Sequence, residues 1–214
     1  ERQLFPVLCT SALHGIGTDR VLATIVAYLP SPDECDDFSG RDPKDDSEVS
    51  RPIDPDGPFA ALDFKTMADP YAGRISLMKV FSGSATADAL MLNPRNNTTE
   101  KLANLTLVQG KQYEPTDAVV AGQLCAVAKL KDIHTGDTLC DKSVPIIIDP
   151  VKFPKPAISF AVEPQTQADE EKISESLARL LEEDPTIAVD RDPQTHELLV
   201  SGLGQLHVEV TVAK

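Results

Sequence analysis

The stretch Val119–Lys142, VVAGQLCAVAKLKDIHTGDTLCDK, constrains the fold more than any other part of the chain. From Gln123 to Leu130 apolar residues recur at nearly every other position, the period of a half-buried β-strand. His134-Thr135-Gly136-Asp137 then reads as a tight turn, in which Gly136 takes a positive φ and Asp137 hydrogen-bonds nearby backbone. A short strand at Thr138–Cys140 follows, so the stretch is predicted to be a β-hairpin. A second unit of the same kind precedes it: Phe59–Ala68, a turn at Asp69–Gly73, and Arg74–Ser82 ending at Gly83. Two such units linked by further strands predict a closed or nearly closed β-barrel over residues 59–149. Its turns are expected at Asp69-Pro70, Ser82-Gly83, Asn93-Pro94, Gly110 and Gly136, and its core at Cys125, Val127 and Leu130.

On either side the pattern changes. Leu4–Cys9 is apolar enough for a buried strand, and Val21, Leu22, Ile25, Val26 and Leu29 share one face of a helix that Thr18 can cap and Pro30 ends. Residues 31–58 hold five prolines and ten acids against three bases, with few large apolar side chains, and are predicted to be a solvated linker. Residues 150–156 read as a stiff, proline-rich connector into a second module. That module alternates as a strand at Ala157–Glu163, then places Ile173, Leu177, Leu180 and Leu181 on one helical face, with Asp169, Glu170 and Glu171 at the favourable end of the helix. Strands at Ile187–Asp190 and Glu197–Ser201 flank a turn at Asp192–His196, which gives β-α-β-β, the opening of a split βαβ module. The fold class is therefore mainly β with an α+β part: a barrel followed by a truncated ferredoxin-like unit.

The net charge of −14 excludes a generic charge-driven binder of nucleic acid, yet residues 59–149 carry ten acids and nine bases, so the barrel can still present a local basic face. No apolar run is long enough to cross a membrane. The four cysteines show no metal-like spacing and read as reduced structural thiols, which suits the cytoplasm. Self-contained catalysis is not expected, because His14, His134, His196 and His207 are scattered and form no nucleophile–base or metal pattern. Glu182 and Glu183 read as solvated acids at a helix end.

Several motifs, in one order, resemble a known family. FKTMADPYAGRISLMKVFSG at Phe64–Gly83 and AGQLCAVAKLKDIHTGDTL at Ala121–Leu139 resemble the second domain of bacterial elongation factor G. FPKPAISFAVEP and LARLLEEDPTIAVDRDPQTHELLVSGLGQLHVEV resemble its third domain, and PVLCTSALHGIG the end of its nucleotide-binding domain. The resemblance implies a translation-factor-type barrel and makes residues 1–30 the last strand and helix of a GTP-binding domain, with Ser11 and Ala12 in the guanine loop of the intact parent. It makes Gly204 onward a helix, although His207–Val212 alternates like a strand. His207 keeps the family's histidine, for a packing or ribosome-interface role, while Gln205 stands where the family usually has Glu.

The implied function is that of a fragment of a translational GTPase whose parent binds the ribosome and couples GTP hydrolysis to translocation. The implied partners are small-subunit RNA and proteins, with Arg74, Lys79, Lys129, Lys131 and His134 as candidate RNA contacts. GTP with Mg is expected for the parent alone, since neither GxxxxGK[ST] nor an NKxD-type motif occurs here. Thr98–Pro115, with two bases in eighteen residues, departs from the basic segment of the main translocase, and LVQGKQYEP resembles divergent paralogues. A ribosomal protection or recycling factor of the same superfamily, and a non-GTPase barrel adaptor, are the alternative readings. A module lacking its final strand is expected to expose a sheet edge, with dimerisation by strand exchange as the consequence.

Overall fold

The computed structural model describes residues 5–69, 73–110, 112–163 and 167–213. The chain divides into two compact units, Glu1–Asp36 and Asp37–Lys214. The first contains helix α1 (Thr18–Tyr28), followed by a single 3-10 turn at Pro32–Glu34. The strand expected from Leu4 does not form over residues 5–9, and Leu4 itself lies outside the described residues. A strand needs a partner for its N–H and C=O groups, and the β pairing described in this unit is a lone bridge between Ser11 and Ile16. Helix α1 starts from Gly17 in the left-handed region without a side-chain cap; the Thr18 hydroxyl donates back to the Gly15 carbonyl instead. None of its residues is buried, so its apolar face has no cover within this unit.

The second unit opens with strands β1 (Phe38–Arg41) and β2 (Glu48–Arg51). The strands β3 (Ala60–Asp69), β4 (Gly73–Ser82), β5 (Ser84–Thr86), β6 (Leu90–Asn93), β7 (Thr98–Lys101) and β8 (Leu105–Gln109) follow. Next come β9 (Gln112–Pro115), β10 (Ala118–Val120), β11 (Leu124–Ala128), β12 (Thr138–Cys140) and β13 (Ile147–Ile148). Eight of them form one antiparallel sheet in the order β7-β6-β12-β3-β4-β11-β8-β9, and β5 pairs with β10 as a separate ribbon. This barrel-like wall encloses one apolar core, built from Ala61, Met78, Val80, Leu105, Val127 and Leu139 among others, and Cys125, Val127 and Leu130 are buried as expected.

β3 and β4 form the predicted hairpin, whose turn at residues 70–72 lies outside the described residues. The hairpin expected between residues 123–130 and 138–140 does not exist. β11 pairs with β4 and β8, and β12 pairs with β3 and β6, so the whole β3–β4 hairpin stands between them. The turn itself is real: the Asp137 N–H donates to the His134 carbonyl at 2.9 Å and Gly136 has φ 98°. It closes a crossing loop rather than a pair of neighbours. Lys129, at φ 63°, still donates its N–H to the Arg74 carbonyl at 3.0 Å and there turns the chain out of β11.

The acidic, proline-rich segment 31–58 is not the plain linker its composition predicts. β1 pairs with both β2 and β13, and Phe38 is buried against Phe81, with ring centroids 5.3 Å apart. Along β1 only Phe38 and Gly40 point inward, while the acids crowd into the exposed β1–β2 turn, where Asp42 accepts the Lys44 N–H and Asp46 pairs with Arg41. Averaged composition hides that alternation. Phe38, Val49, Ile146 and Ile148 cover Ala60 and Leu62 on the outer face of β3, forming a second apolar layer, which is why the first four residues of β3 are buried on both faces. Gly83 joins this layer to the barrel. At φ 70°, an added Cβ would lie 2.6 Å from the Gly57 carbonyl oxygen and the Phe59 backbone, a space that only glycine leaves open.

The third module runs β14 (Ile158–Val162), α2 (Gln167–Glu183), β15 (Ala188–Arg191), β16 (Leu198–Gly202) and α3 (Gln205–Ala213). Its sheet has the order β14-β16-β15, and Leu177, Ile187, Val200 and Val208 form its core, with Ile173 and Leu180 packed beside them. Leu181, expected on the same face, is exposed. The acidic side chains at 169–171 lie outside the described residues. The conflict over residues 207–212 resolves as helix. Val208 and Thr211, three apart, are buried on one face, and the Thr211 hydroxyl donates to the His207 carbonyl.

Candidate functional site

The groups with the densest polar chemistry gather on the loop between β11 and β12, residues 129–137. Its backbone is held by carboxylates and amides from β6, β7 and the turn that joins them. Glu100 accepts the N–H groups of Lys131 and Asp132, at 3.1 and 3.0 Å. Asn93 donates to the Asp132 carbonyl and to Asp137, and Asn96 donates to the carbonyl and carboxylate of Asp132. Asp137, almost wholly buried, accepts Arg95 Nε at 2.6 Å and the His134 N–H at 2.9 Å. A buried carboxylate met by three donors is satisfied, and the loop has little freedom to move.

His134 is thereby presented rather than buried, its side chain 55% exposed. Arg95 Nη2 lies 3.0 Å from its Nδ1 and can only donate, so the ring is held as the tautomer with Nε2–H outward, a hydrogen-bond donor offered to solvent. Lys129 and Lys131 precede it on the same loop, and both are exposed. Three of the five sequence-predicted contacts, Lys129, Lys131 and His134, thus share one loop. Lys79 does not join them. It lies five residues along β4 from Arg74, about 17 Å at the rise of a strand, with its ammonium 5.1 Å from the Phe81 ring centroid.

Arg74 is at the loop but faces inward. Its Nη1 donates to the Ile133 carbonyl at 2.8 Å, while Nη2 and Nε hold Glu182 of α2 at 2.7 and 3.2 Å. Its side chain is 21% exposed, and its fork is committed to the third module. Beside it the Ala68 N–H donates to Glu183 at 2.8 Å. Next to these contacts a cleft of about 500 Å3 separates β3 from the third module, lined by Lys65, Thr66, Met67, Asp184, His207 and Thr211 among others. In its wall His207 accepts the Leu203 N–H on Nδ1 and reaches Asp184 through Nε2 at 3.0 Å, which ties α3 to the end of α2. Burial works against the Asp184 carboxylate, but hydrogen bonds from Thr186 and His207 more than offset it and hold its pKa below the usual value.

The sequence reading missed Arg95, Glu100 and Asn93, which frame the loop, and Glu182 and Glu183, which it took for solvated acids. A signal for the last two was present: acids in the final turn of a helix oppose its dipole and need an outside partner.

Ser11 and Ala12 lie far from this chemistry in the sequence and belong to the first unit. The N–H and C=O of Ser11 are both bonded to Ile16, at 3.0 and 3.1 Å, and the Ala12 carbonyl accepts the Gly15 N–H. The 214 residues contain no GxxxxGK[ST] run, the loop whose backbone N–H groups and lysine hold a nucleotide's phosphates.

A barrel-like domain whose loop presents two lysines and a histidine is thus followed by an α+β module joined to it through Arg74. Comparison with known proteins identifies this pair of domains. Residues 58–142 match the family model described as Elongation factor G domain 2, and residues 153–214 match Elongation Factor G, domain III. A crystal structure of a protein from Thermus thermophilus superposes with a TM-score of 0.77 at 27% identity, over 96% of this chain and 28% of that one. The chain belongs to the elongation factor G family and spans little more than a quarter of the length of that relative.

Proposed function

We propose that the chain is part of a translational GTPase that works on the ribosome, its barrel and third domain passing the nucleotide state of the parent to the small subunit. The observation that carries this reading is the presence, in order and adjacent, of the second and third domains of elongation factor G. The chain's own share is mechanical. The loop with Lys129, Lys131 and His134 offers two cations and a donor to RNA phosphate, and the joint at Arg74 transmits movement between two bodies. GTP hydrolysis itself falls to another part of the parent, in the cytoplasm.

Within the family, a divergent paralogue is favoured over the main translocase: Thr98–Pro115 holds two bases in eighteen residues, and of these Lys101, at the end of β7, is paired with Asp88 at 3.0 Å.

Sedimentation of the chain with purified small ribosomal subunits tests the reading. Association is expected to weaken steeply, by roughly tenfold or more between about 50 and 200 mM salt, and to weaken further with Lys129→Ala and Lys131→Ala together. Failure to sediment at low salt, with salt-insensitive binding to another protein, would support the adaptor reading instead.

A further inference from the structure

We propose that Arg74, Glu182 and Glu183 form a charge latch that sets how firmly the third module docks on the barrel, and that loop 129–137 presets it. The inference concerns the joint itself and stands whichever partner the parent serves.

The first observation is what does not hold the modules together. Of the three apolar clusters in the described residues, two lie wholly within residues 38–148 and one within 162–208; none spans both modules. The hydrogen bonds described as crossing between the modules are polar and charged: Arg74 to Glu182 twice, and the Ala68 N–H to Glu183. Beside them lies the cleft of about 500 Å3. Salt screens a charge pair that is 21% and 40% exposed, whereas it does not weaken apolar burial.

The second observation is where the acids stand. Glu182 and Glu183 occupy the last turn of α2, which contains no base, and Asp184 follows directly. Their charge opposes the negative end of the helix dipole, so in the undocked state they raise the energy of the helix end. Docking brings the positive charge of Arg74 to Glu182. Unlike an ordinary surface pair, this one relieves a repulsion built into its own helix.

The third observation is the setting of Arg74. Its guanidinium is anchored to the carbonyl of Ile133, a fully buried residue, on a loop that Glu100, Asn93 and Asp137 hold in place. The fork is therefore aimed before Glu182 arrives, which reduces the conformational entropy lost on docking. A partner that shifts the loop at His134 shifts the same guanidinium, so contact on the barrel surface and release of the third module share one element.

The test uses the whole chain and two amide-resolved measurements: hydrogen exchange at Ala68, whose N–H crosses the joint, and 15N relaxation, which reads whether the modules tumble together. Glu182→Arg is the first variant, because it leaves Arg74 bonded to Ile133 and so spares the barrel. It is expected to speed exchange at Ala68 by about tenfold, the order of one well-aligned, partly buried charge pair. It should also let the modules tumble separately, while Val80, Val127 and Val200 in the two cores stay protected. Raising salt from about 0.05 to 0.5 M, which cuts the screening length to a few ångströms, is expected to move the wild type the same way. Adding Arg74→Glu to Glu182→Arg is expected to restore docking in part, since the charge pair re-forms but a carboxylate at position 74 cannot donate to the Ile133 carbonyl. Unchanged tumbling and unchanged Ala68 exchange in Glu182→Arg would overturn the latch. So would loss of protection at Val80 and Val127, which would make the pair part of the barrel's own stability.

Discussion

Asp63 is a fully buried acid on β3, and its contribution to stability has a pH dependence opposite to that of an ion-paired carboxylate. Burial first, and then the charge of nearby Asp137, push its pKa from the ordinary 3.8 up to about 7, despite the hydrogen bond it accepts from the Lys65 N–H. The structural reason for an acid here is a bulge: the register between β3 and β4 shifts between Asp63 and Lys65, and the carboxyl takes up the Lys65 N–H that the ladder leaves. In the unfolded chain Asp63 loses its proton near pH 4; in the fold it keeps that proton to about pH 7. Between those values the folded state holds one proton more, so stability falls as pH rises, and it is level below about 4 and above about 7 with respect to this group. At roughly 1.4 kcal/mol per pH unit, ionising Asp63 in the fold costs on the order of 4 kcal/mol.

Asp63→Asn isolates the effect. The amide oxygen can still accept the Lys65 N–H, and the side chain never ionises. Urea unfolding followed by circular dichroism at about pH 4.5, 6, 7 and 8 gives the difference in stability between variant and wild type at each pH, in which the contributions of all other groups cancel. The expected difference shifts in favour of the variant by roughly 3–4 kcal/mol from the lowest to the highest pH. A difference that stays constant within about 0.5 kcal/mol would show that Asp63 titrates at the same pH folded and unfolded, and the reasoning from burial would fail.

Asp137→Ala leaves the buried Asn93 amide and the His134 N–H without their acceptor, while the half-exposed Arg95 returns to water, and is expected to destabilise the barrel by about 1–3 kcal/mol, measured by the same urea transitions. Gly83→Ala, which forces a Cβ to within 2.6 Å of the Gly57 carbonyl at positive φ, is expected to cost about 2–4 kcal/mol in thermal or chemical unfolding. Leu139→Ala removes a fully buried side chain from the barrel core and is expected to cost about 2–5 kcal/mol. With a maleimide near neutral pH, Cys9 and Cys35, both exposed, are expected to label at once; Cys125, whose thiol burial pushes up to about 12, and Cys140 are expected to label only on unfolding, as mass spectrometry would show.

What the sequence made legible follows the range of the interactions involved. The β3–β4 hairpin, the Gly136 turn and the core positions of β11 depend on neighbours a few residues away, and alternation and glycine placement report such neighbours directly. The pairing of β11 with β4 instead of β12 depends on strands more than forty residues apart, and no local period encodes it. The cover that residues 38–51 place over β3 was hidden because the acids and the inward Phe38 share one short segment, and an average over that segment sees only the acids. The loop frame was missed for a related reason: Glu100 and Asn93 look like ordinary polar residues until the fold sets them under residues 131–137. Glu182 and Glu183 are the exception that carries most for function. Their long-range partners were not legible, but the need for partners was, because two acids at the negative end of a helix are a local conflict. Such conflicts persist where something outside the element resolves them. Here a guanidinium on the barrel meets one of the two acids, so a violated local rule marks the surface at which the barrel and the third module of this chain touch.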